Sequence, residues 1–284
     1  MEKAKKFYGM SNDYMFRAVL QESEETLRHL VGALMHMDVA DIRTCRILNP
    51  IILGNRLGSK ETIMDVRLEL NDNSLINIEL QMWRKANWID RSLYYWARNF
   101  SHLEKRNDYE TVKPTYHIGI LNFTLFESEP EFYSEYRIRN IRTGRCYSDK
   151  FCIRVLDLTQ ISLAEKENHT DPELLKWAKI FKAKTMQELE NIAGDEEALK
   201  EMVSKIKELS EEERIQLQCE AEEVYKWDMQ SERQAGREEG RAEGRREMIA
   251  NALRHGKTCE EIAEFHGIPL DDVKEIERGI DQTA

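Results

Sequence analysis

The chain has 284 residues, with 42 lysines and arginines against 53 aspartates and glutamates and a formal charge of −11. That length can bury a substantial core and suits one main domain with an appendage, while a uniform acidic excess of this size would argue against a nucleic-acid partner. The excess is not uniform: residues 1–160 carry 23 basic and 22 acidic side chains and the rest carry 19 and 31, so the acidity belongs to the C-terminal part and the first domain is electrically balanced, which is compatible with DNA binding.

The five cysteines, Cys45, Cys146, Cys152, Cys219 and Cys259, are scattered without CxxC spacing, which points to neither a zinc site nor a disulfide framework. The seven histidines show no metal-ligand spacing either. Met1 to Asp13 lacks an apolar signal core, and no apolar run reaches membrane-spanning length. A reducing cytoplasm is the expected compartment, with no membrane partner. No glycine-rich phosphate loop appears, so no nucleotide cofactor is expected.

In chain order, the stripe Phe16, Val19, Leu20, Leu27, Leu30 and Val31 predicts a helix from Asn12 or Asp13 to about Gly32. Asp13 at its start has the chemistry of an N-cap or first-turn acid interacting with free amides and the helix dipole. A strand is expected over Thr44–Leu53. Two more follow, Ile63–Leu70 and Leu75–Gln81, and the polar turn Asn71-Asp72-Asn73-Ser74 between them favours a hairpin. Alternation puts Met64, Val66, Leu68 and Leu70 on one face and Asp65, Arg67 and Glu69 on the other. In the second strand Ile76, Ile78 and Leu80 form the buried set, opposite Asn77, Glu79 and Gln81. Asp65 and Glu79 then share a sheet face, and carboxylates brought together repel unless a cation or proton intervenes. Oxygen donors of this kind suit Mg²⁺ or Mn²⁺. The plainer alternative is a pair of solvent-facing strand acids.

A helix is predicted over about Trp88–Lys105, with Arg91, Tyr95 and Arg98 on one side at i, i+4, i+7 and Tyr94 adjacent. Arg91 has two readings of equal weight. It holds a phosphate or orients Glu79, since guanidinium matches both in a bidentate way, or it is a structural ion pair with aromatic packing. Tyr116–Phe126 reads as a central buried strand. Strands near Tyr133–Ile141 and Phe151–Leu158 follow, joined by Arg142-Thr143-Gly144-Arg145. This hairpin concentrates Arg137, Arg139, Arg142, Arg145, Lys150 and Arg154 among Tyr136, Tyr147 and Phe151. With Arg137 and Arg139 on one strand face, it is the best candidate phosphate-contacting surface; an ordinary solvated hairpin face is the alternative.

After Asp171-Pro172 the pattern becomes all-helical, with stripes at Leu174/Leu175/Ala178, Met186–Ile192 and Leu199/Met202/Val203/Ile206. Ser210-Glu211-Glu212-Glu213 has the form of a capping box opening a long helix. A tetrad repeat of Gly236, Gly240 and Gly244, each followed by Arg, weakens that helix by about 1 kcal/mol per glycine. Opposite charges at helical spacing partly offset this. A solvated connecting helix is the favoured reading, and close helix pairing along the glycines is secondary. Thr258–Val273 reads as a small helix-turn-helix with Gly267 at the turn and Ile262, Phe265, Ile268, Val273 and Ile276 as its core. Its second helix carries Asp271, Asp272, Glu275 and Glu277 against Lys274 and Arg278, the wrong charge for reading DNA, so a packing or protein-contact role is favoured.

The Asp65…Glu79-x-Gln81 arrangement resembles the PD-(D/E)XK nuclease superfamily in its Glu-x-Gln variant, closest to the transposase-like recombination-promoting nucleases. The likeness is carried in order, over roughly residues 8–160, by Ser11–Phe16, Met64–Arg67, Asn77–Gln81, Asp90–Trp96 and His117–Phe126. Met64 stands in place of the superfamily's proline and Gln81 in place of its usual lysine, which removes that cation from the site.

The resemblance implies an α/β fold: a restriction-endonuclease-like mixed sheet core flanked by helices, with an all-helical C-terminal extension. It implies a nuclease-like domain over residues 1–165, a helical extension over 166–235, and a Gly/Arg/Glu-rich helix with a helix-turn-helix-like tail over 236–284. The implied activity is Mg²⁺- or Mn²⁺-dependent endonucleolytic hydrolysis of DNA, associated with recombination or transposase-like activity. Asp65, Glu79, Gln81 and Arg91 would be catalytic, with the metal on Asp65, Glu79, the Leu80 carbonyl and, as one reading of that residue, Asp13. The Arg91 helix would pack beside the site, and DNA would contact Arg137, Arg139, Arg142 and Arg145. The alternative is an inactive nuclease-fold module binding DNA or a protein, and a homo-oligomer through the C-terminal helices is compatible with either.

Overall fold

Ser23 breaks the first helical stretch. Its backbone is extended and its hydroxyl accepts from the Thr26 amide, so it caps a new helix instead of continuing the old one. Where one helix is expected, the computed structural model therefore has two, α1 (Asp13–Glu22) and α2 (Glu24–Met35). The structure describes residues 6–48, 51–52, 62–63, 65–84, 87–101, 108–167 and 169–281.

The strand expected over Thr44–Leu53 resolves into β1 (Cys45–Ile47) and β2 (Ile51–Ile52), with 49, 50 and 53 outside the described residues. The next strand also splits, into β3 (Thr62–Ile63) and β4 (Val66–Leu70). Met64 lies outside the described residues, and Asp65 sits in a bend just before β4 rather than within a strand. β5 (Leu75–Gln81) follows through a turn in which Asn73 has φ +63° and the Asp72 carboxylate accepts from the Ser74 amide and hydroxyl. This is the expected hairpin, with asparagine in the left-handed region it tolerates.

α3 (Trp88–Phe100) covers the described part of the predicted helix, since 102–107 lie outside the described residues. β6 (Thr115–Leu121) ends earlier than expected, where the Asn122 amide turns to the Gln81 carbonyl. β7 (Tyr133–Tyr136) is also short, and β8 (Phe151–Asp157) closes the set. Between them an isolated bridge, Arg139 to Cys146, replaces the predicted strand continuation.

Six strands join in one mixed sheet, ordered β1-β4-β5-β6-β8-β7. β5, β6 and β8 run parallel in its middle, and the other pairings are antiparallel. Parallel strands are covered on both faces, which accounts for burial of every β5 position. One face presents Val66, Leu68, Ile76, Ile78, Leu80, Ile118 and Ile120 to the main core. α4 (Ile161–Ala164), α5 (Pro172–Lys182), α6 (Met186–Ala193) and α7 (Glu197–Glu211) follow the sheet in sequence. Trp177 and Phe181 of α5 and Met202 and Ile206 of α7 lie in that same core. The expected α/β architecture, a mixed sheet flanked by helices with long C-terminal helices, is thus present, and residues 166–222 build on the sheet's core.

Ser210 falls inside α7 rather than opening the next helix. The boundary is Glu212, after which α8 (Glu213–Arg254) runs for 42 residues. Residues 1–222 form one compact unit and 223–284 another. In the second, α9 (Cys259–His266) and α10 (Leu270–Asp281) meet through Gly267 at φ +61°. Thr258 and Glu261 make a capping box there. Ile249, Cys259, Ile262 and Val273 form the small core, but Phe265 is 84% exposed and does not join it. No helix among the described residues is long and apolar enough to cross a membrane.

Candidate active site

The polar face of β5 is roofed by α3. Trp96 anchors that helix by donating its indole N–H to the Thr115 carbonyl of β6 at 2.8 Å. Trp88 packs against β6 at Gly119, where an added Cβ would come within 2.2 Å of the indole. Only glycine allows this approach, and the resulting contact sets how closely α3 lies over β5.

Asp65 and Glu79 reach this face differently. β4 and β5 are antiparallel with Val66 opposite Ile78, and Asp65 is the bend residue just before that pair. The Asp65 carboxylate accepts the Leu80 amide N–H at 3.0 Å, which ties the bend directly onto β5. Glu79 is only 2% exposed. It forms an ion pair with Arg91 of α3, whose guanidinium also lies over the Tyr95 ring at 5.2 Å. The reading of these acids as solvent-facing is therefore wrong for Glu79: the strand lies mid-sheet and α3 covers its polar face. Arg91 therefore pairs with Glu79 and packs on Tyr95, an arrangement common to both of its readings.

Gln81 is also buried, and its side-chain amide donates to the Leu80 carbonyl at 2.8 Å. Leu80 thus presents its N–H to Asp65 and its carbonyl to Gln81. Asp13 lies in the first turn of α1, but the cap itself is Asn12, whose side chain accepts from the Tyr14 and Met15 amides. That turn is tied to the start of α8, with the Tyr14 amide donating to Glu222 at 2.7 Å.

Sequence reasoning assigned no role to Asn77, Asn99 or His117, and all are fully buried here. His117 of β6 sits directly beside Asn77 in the parallel register. Asn77 Nδ2 is 2.9 Å from His117 Nδ1, and His117 Nε2 lies 3.6 Å from Glu79 Oε2. Burial first, and then the Arg91 charge, lower the pKa of His117 to about 3, so the ring is neutral. Arg67 of β4 donates to Asn99 of α3 at 2.7 Å, and burial lowers its pKa. A lone histidine in the apolar run of β6 was the available signal, but the parallel pairing that aims it at Asn77 and Glu79 is not visible in sequence.

The basic hairpin is less uniform than its composition suggests. Arg154 is buried, pairs with Glu135 at 2.7 Å and donates to the Leu34 carbonyl at 2.8 Å. It belongs to the interior and drops out of the candidate phosphate surface, because the even positions of β8 face the main core. Arg137 lies beyond the end of β7 and bonds Glu135 at 2.5 Å. Arg139 donates to the Gly144 carbonyl at 3.2 Å, and Arg139, Arg142 and Arg145 are exposed.

Among the described residues no group of three or more His, Cys, Asp or Glu is arranged to hold a metal. The oxygen donors at the site are two carboxylates and a backbone carbonyl. No curated protein and no solved structure matches the chain significantly. The model of the PD-(D/E)XK nuclease family transposase matches residues 10–236, and the chain belongs to that family.

Proposed function

We propose that this family member is an endonuclease that hydrolyses phosphodiester bonds in DNA with a divalent ion, Mg²⁺ or Mn²⁺, held by Asp65, Glu79 and the Leu80 carbonyl. The observation that carries this reading is the bend before β4, which delivers the Asp65 carboxylate onto β5 at Leu80, next to Glu79. The donor set fits the ion: all are hard oxygens of the type Mg²⁺ takes, and the Leu80 carbonyl keeps a second lone pair besides the one used by Gln81. The bound ion would lower the pKa of a water and offset charge on the attacked phosphate.

The protein's own groups supply the rest. Arg91 fixes Glu79 and places a permanent cation at the site where lysine is absent, and its planar fork also matches a phosphate. Gln81 orients a water or phosphate oxygen by hydrogen bonding; it neither titrates nor carries charge. Arg137, Arg139, Arg142 and Arg145 serve as phosphate contacts, and Asp13 is an auxiliary metal acid or remains a first-turn residue. The organisation proposed is a nuclease-like domain over 1–165, helices over 166–235, and a tail over 236–284 suited to protein contact, including a second copy.

Mg²⁺-dependent nicking of supercoiled plasmid tests this, with loss expected in Asp65→Ala and in Glu79→Ala. Undiminished nicking by the double variant would remove the assignment. A second reading, a DNA-binding module without turnover, draws on the near-complete enclosure of Glu79 and its existing ion pair. Salt-sensitive DNA binding with no cleavage by the wild type would favour that one.

A further inference from the structure

We propose that His117 is a positioning residue for Glu79, directing its Nε2–H at Glu79 Oε2 while Asn77 holds its other nitrogen. This rests on the reading of Glu79 as a metal ligand and adds a residue that the Asp…Glu-x-Gln pattern does not contain.

The geometry carries the inference. His117 is completely buried and sits opposite Asn77 in the β5–β6 ladder. Its ring is packed near Trp88, with centroids 6.0 Å apart, and edge-on to Tyr95 at 6.2 Å, so both rings restrict its rotation. Nδ1 lies 2.9 Å from the Asn77 amide nitrogen. Nε2 has no hydrogen-bond partner among the described residues, and Glu79 Oε2 lies 3.6 Å away.

The tautomer follows from these contacts. With Asn77 Nδ2 donating, Nδ1 accepts and the ring proton resides on Nε2, facing the carboxylate. Flipping the Asn77 amide reverses the ring, and a neutral imidazole would then aim an Nε2 lone pair at an anionic oxygen in a dry pocket. That arrangement is repulsive where the local dielectric is low. An imidazolium would avoid the clash but place another cation next to Arg91. The neutral Nε2–H form is the one consistent with every neighbour, and it orients Glu79 without altering the charge of the Glu79–Arg91 pair. Asp65 is held more closely, accepting the Leu80 amide N–H at 3.0 Å, whereas His117 Nε2 stands 3.6 Å from Glu79. Groups behind a ligand act on metal affinity by holding its orientation.

The test is Mn²⁺ titration of the full-length chain by calorimetry, with melting temperatures recorded alongside. His117→Leu deletes the donor, whereas His117→Gln keeps an N–H near the Nε2 position. We expect His117→Leu to weaken Mn²⁺ binding about 10–100-fold and His117→Gln to recover most of that loss, the range typical of residues behind a ligand. Wild-type affinity in His117→Leu, with affinity lost in Glu79→Ala, overturns the positioning role and leaves the metal site standing. Equal weakening in both His117 variants also overturns it, since packing alone then explains the effect. Unchanged binding in Glu79→Ala removes the metal reading itself and the role of His117 with it. If His117→Leu does not fold, Asn77→Ala frees Nδ1 and is expected to weaken Mn²⁺ binding in the same direction; unchanged affinity there overturns the proposal.

Discussion

The two faces of β5 are equally remote from solvent and are filled by opposite means. One presents Ile76, Ile78 and Leu80 to a core of aliphatic and aromatic side chains. The other presents Asn77, Glu79 and Gln81, matched by His117, Arg91 and the Leu80 carbonyl. Apolar packing degrades gradually when atoms are removed, because neighbours partly collapse. A buried polar set fails abruptly, because each group depends on a specific partner. The polar face therefore contributes little net stability for its area.

The sharpest test of that difference is Arg91→Leu. It removes the guanidinium that pairs with a Glu79 only 2% exposed, and the expected cost is about 3–5 kcal/mol. Adding Glu79→Leu should return most of that loss, since replacing a buried ion pair by apolar groups is often neutral or stabilising. Urea titration of the wild type, Arg91→Leu and the double variant reads both effects. A double variant no better than the single one would mean that Arg91 matters through packing on Tyr95 instead. The double variant should also lose Mn²⁺-dependent nicking whatever its stability.

Gly119→Ala sharpens the comparison with a smaller effect. The new methyl would sit 2.2 Å from the Trp88 indole, so α3 must lift, at a cost of about 1–3 kcal/mol for overpacking. Lifting α3 also draws Arg91 from Glu79, so the variant should lose nicking beyond what its melting temperature explains. Gly240→Ala is the contrasting glycine. Among the described residues nothing lies within 4 Å of its added methyl, and the helix should gain about 1 kcal/mol in propensity, visible as increased helical circular dichroism. A destabilised Gly240→Ala would instead reveal a close neighbour along the glycine row.

Most of the individual elements were legible from periodicity, while the mixed-sheet fold was implied by the family resemblance. The β4–β5 hairpin, the α3 helix and the helical turn after Asp171-Pro172 each announce themselves through spacing and turn residues. Boundaries were read less well, because Ser23 and Asp65 act through local capping and bending that an apolar stripe does not register. At the site, the sequence pairs Asp65 with Glu79 through one short antiparallel turn. His117 and Asn99 come from elements that meet only through a parallel crossover, and such pairings leave no local trace. The burial of Glu79 was missed for the same reason. Strand alternation says which residues share a face, but not that α3 will cover it.

Arg154 is where the contrast between the faces can be broken, since it places a guanidinium among the apolar positions of β8. Its partner Glu135 is held by Arg137 and Arg154 together. The hydrogen bond from Arg137 is the largest influence lowering the Glu135 pKa, ahead of the Arg154 charge. A carboxyl whose pKa is lower in the folded state stabilises the fold above its unfolded value of about 4.3, and that stabilisation is lost as pH falls through the folded value. Glu135→Gln should therefore lie below the wild type in urea midpoint at pH 7, and the gap should narrow as pH drops below about 4. The change should be the smallest of this set, because Glu135 is partly exposed and Arg154 keeps its bond to the Leu34 carbonyl. A gap unchanged with pH would mean that Glu135 acts by shape and neutral hydrogen bonding, and that Arg154 is anchored by Leu34 alone.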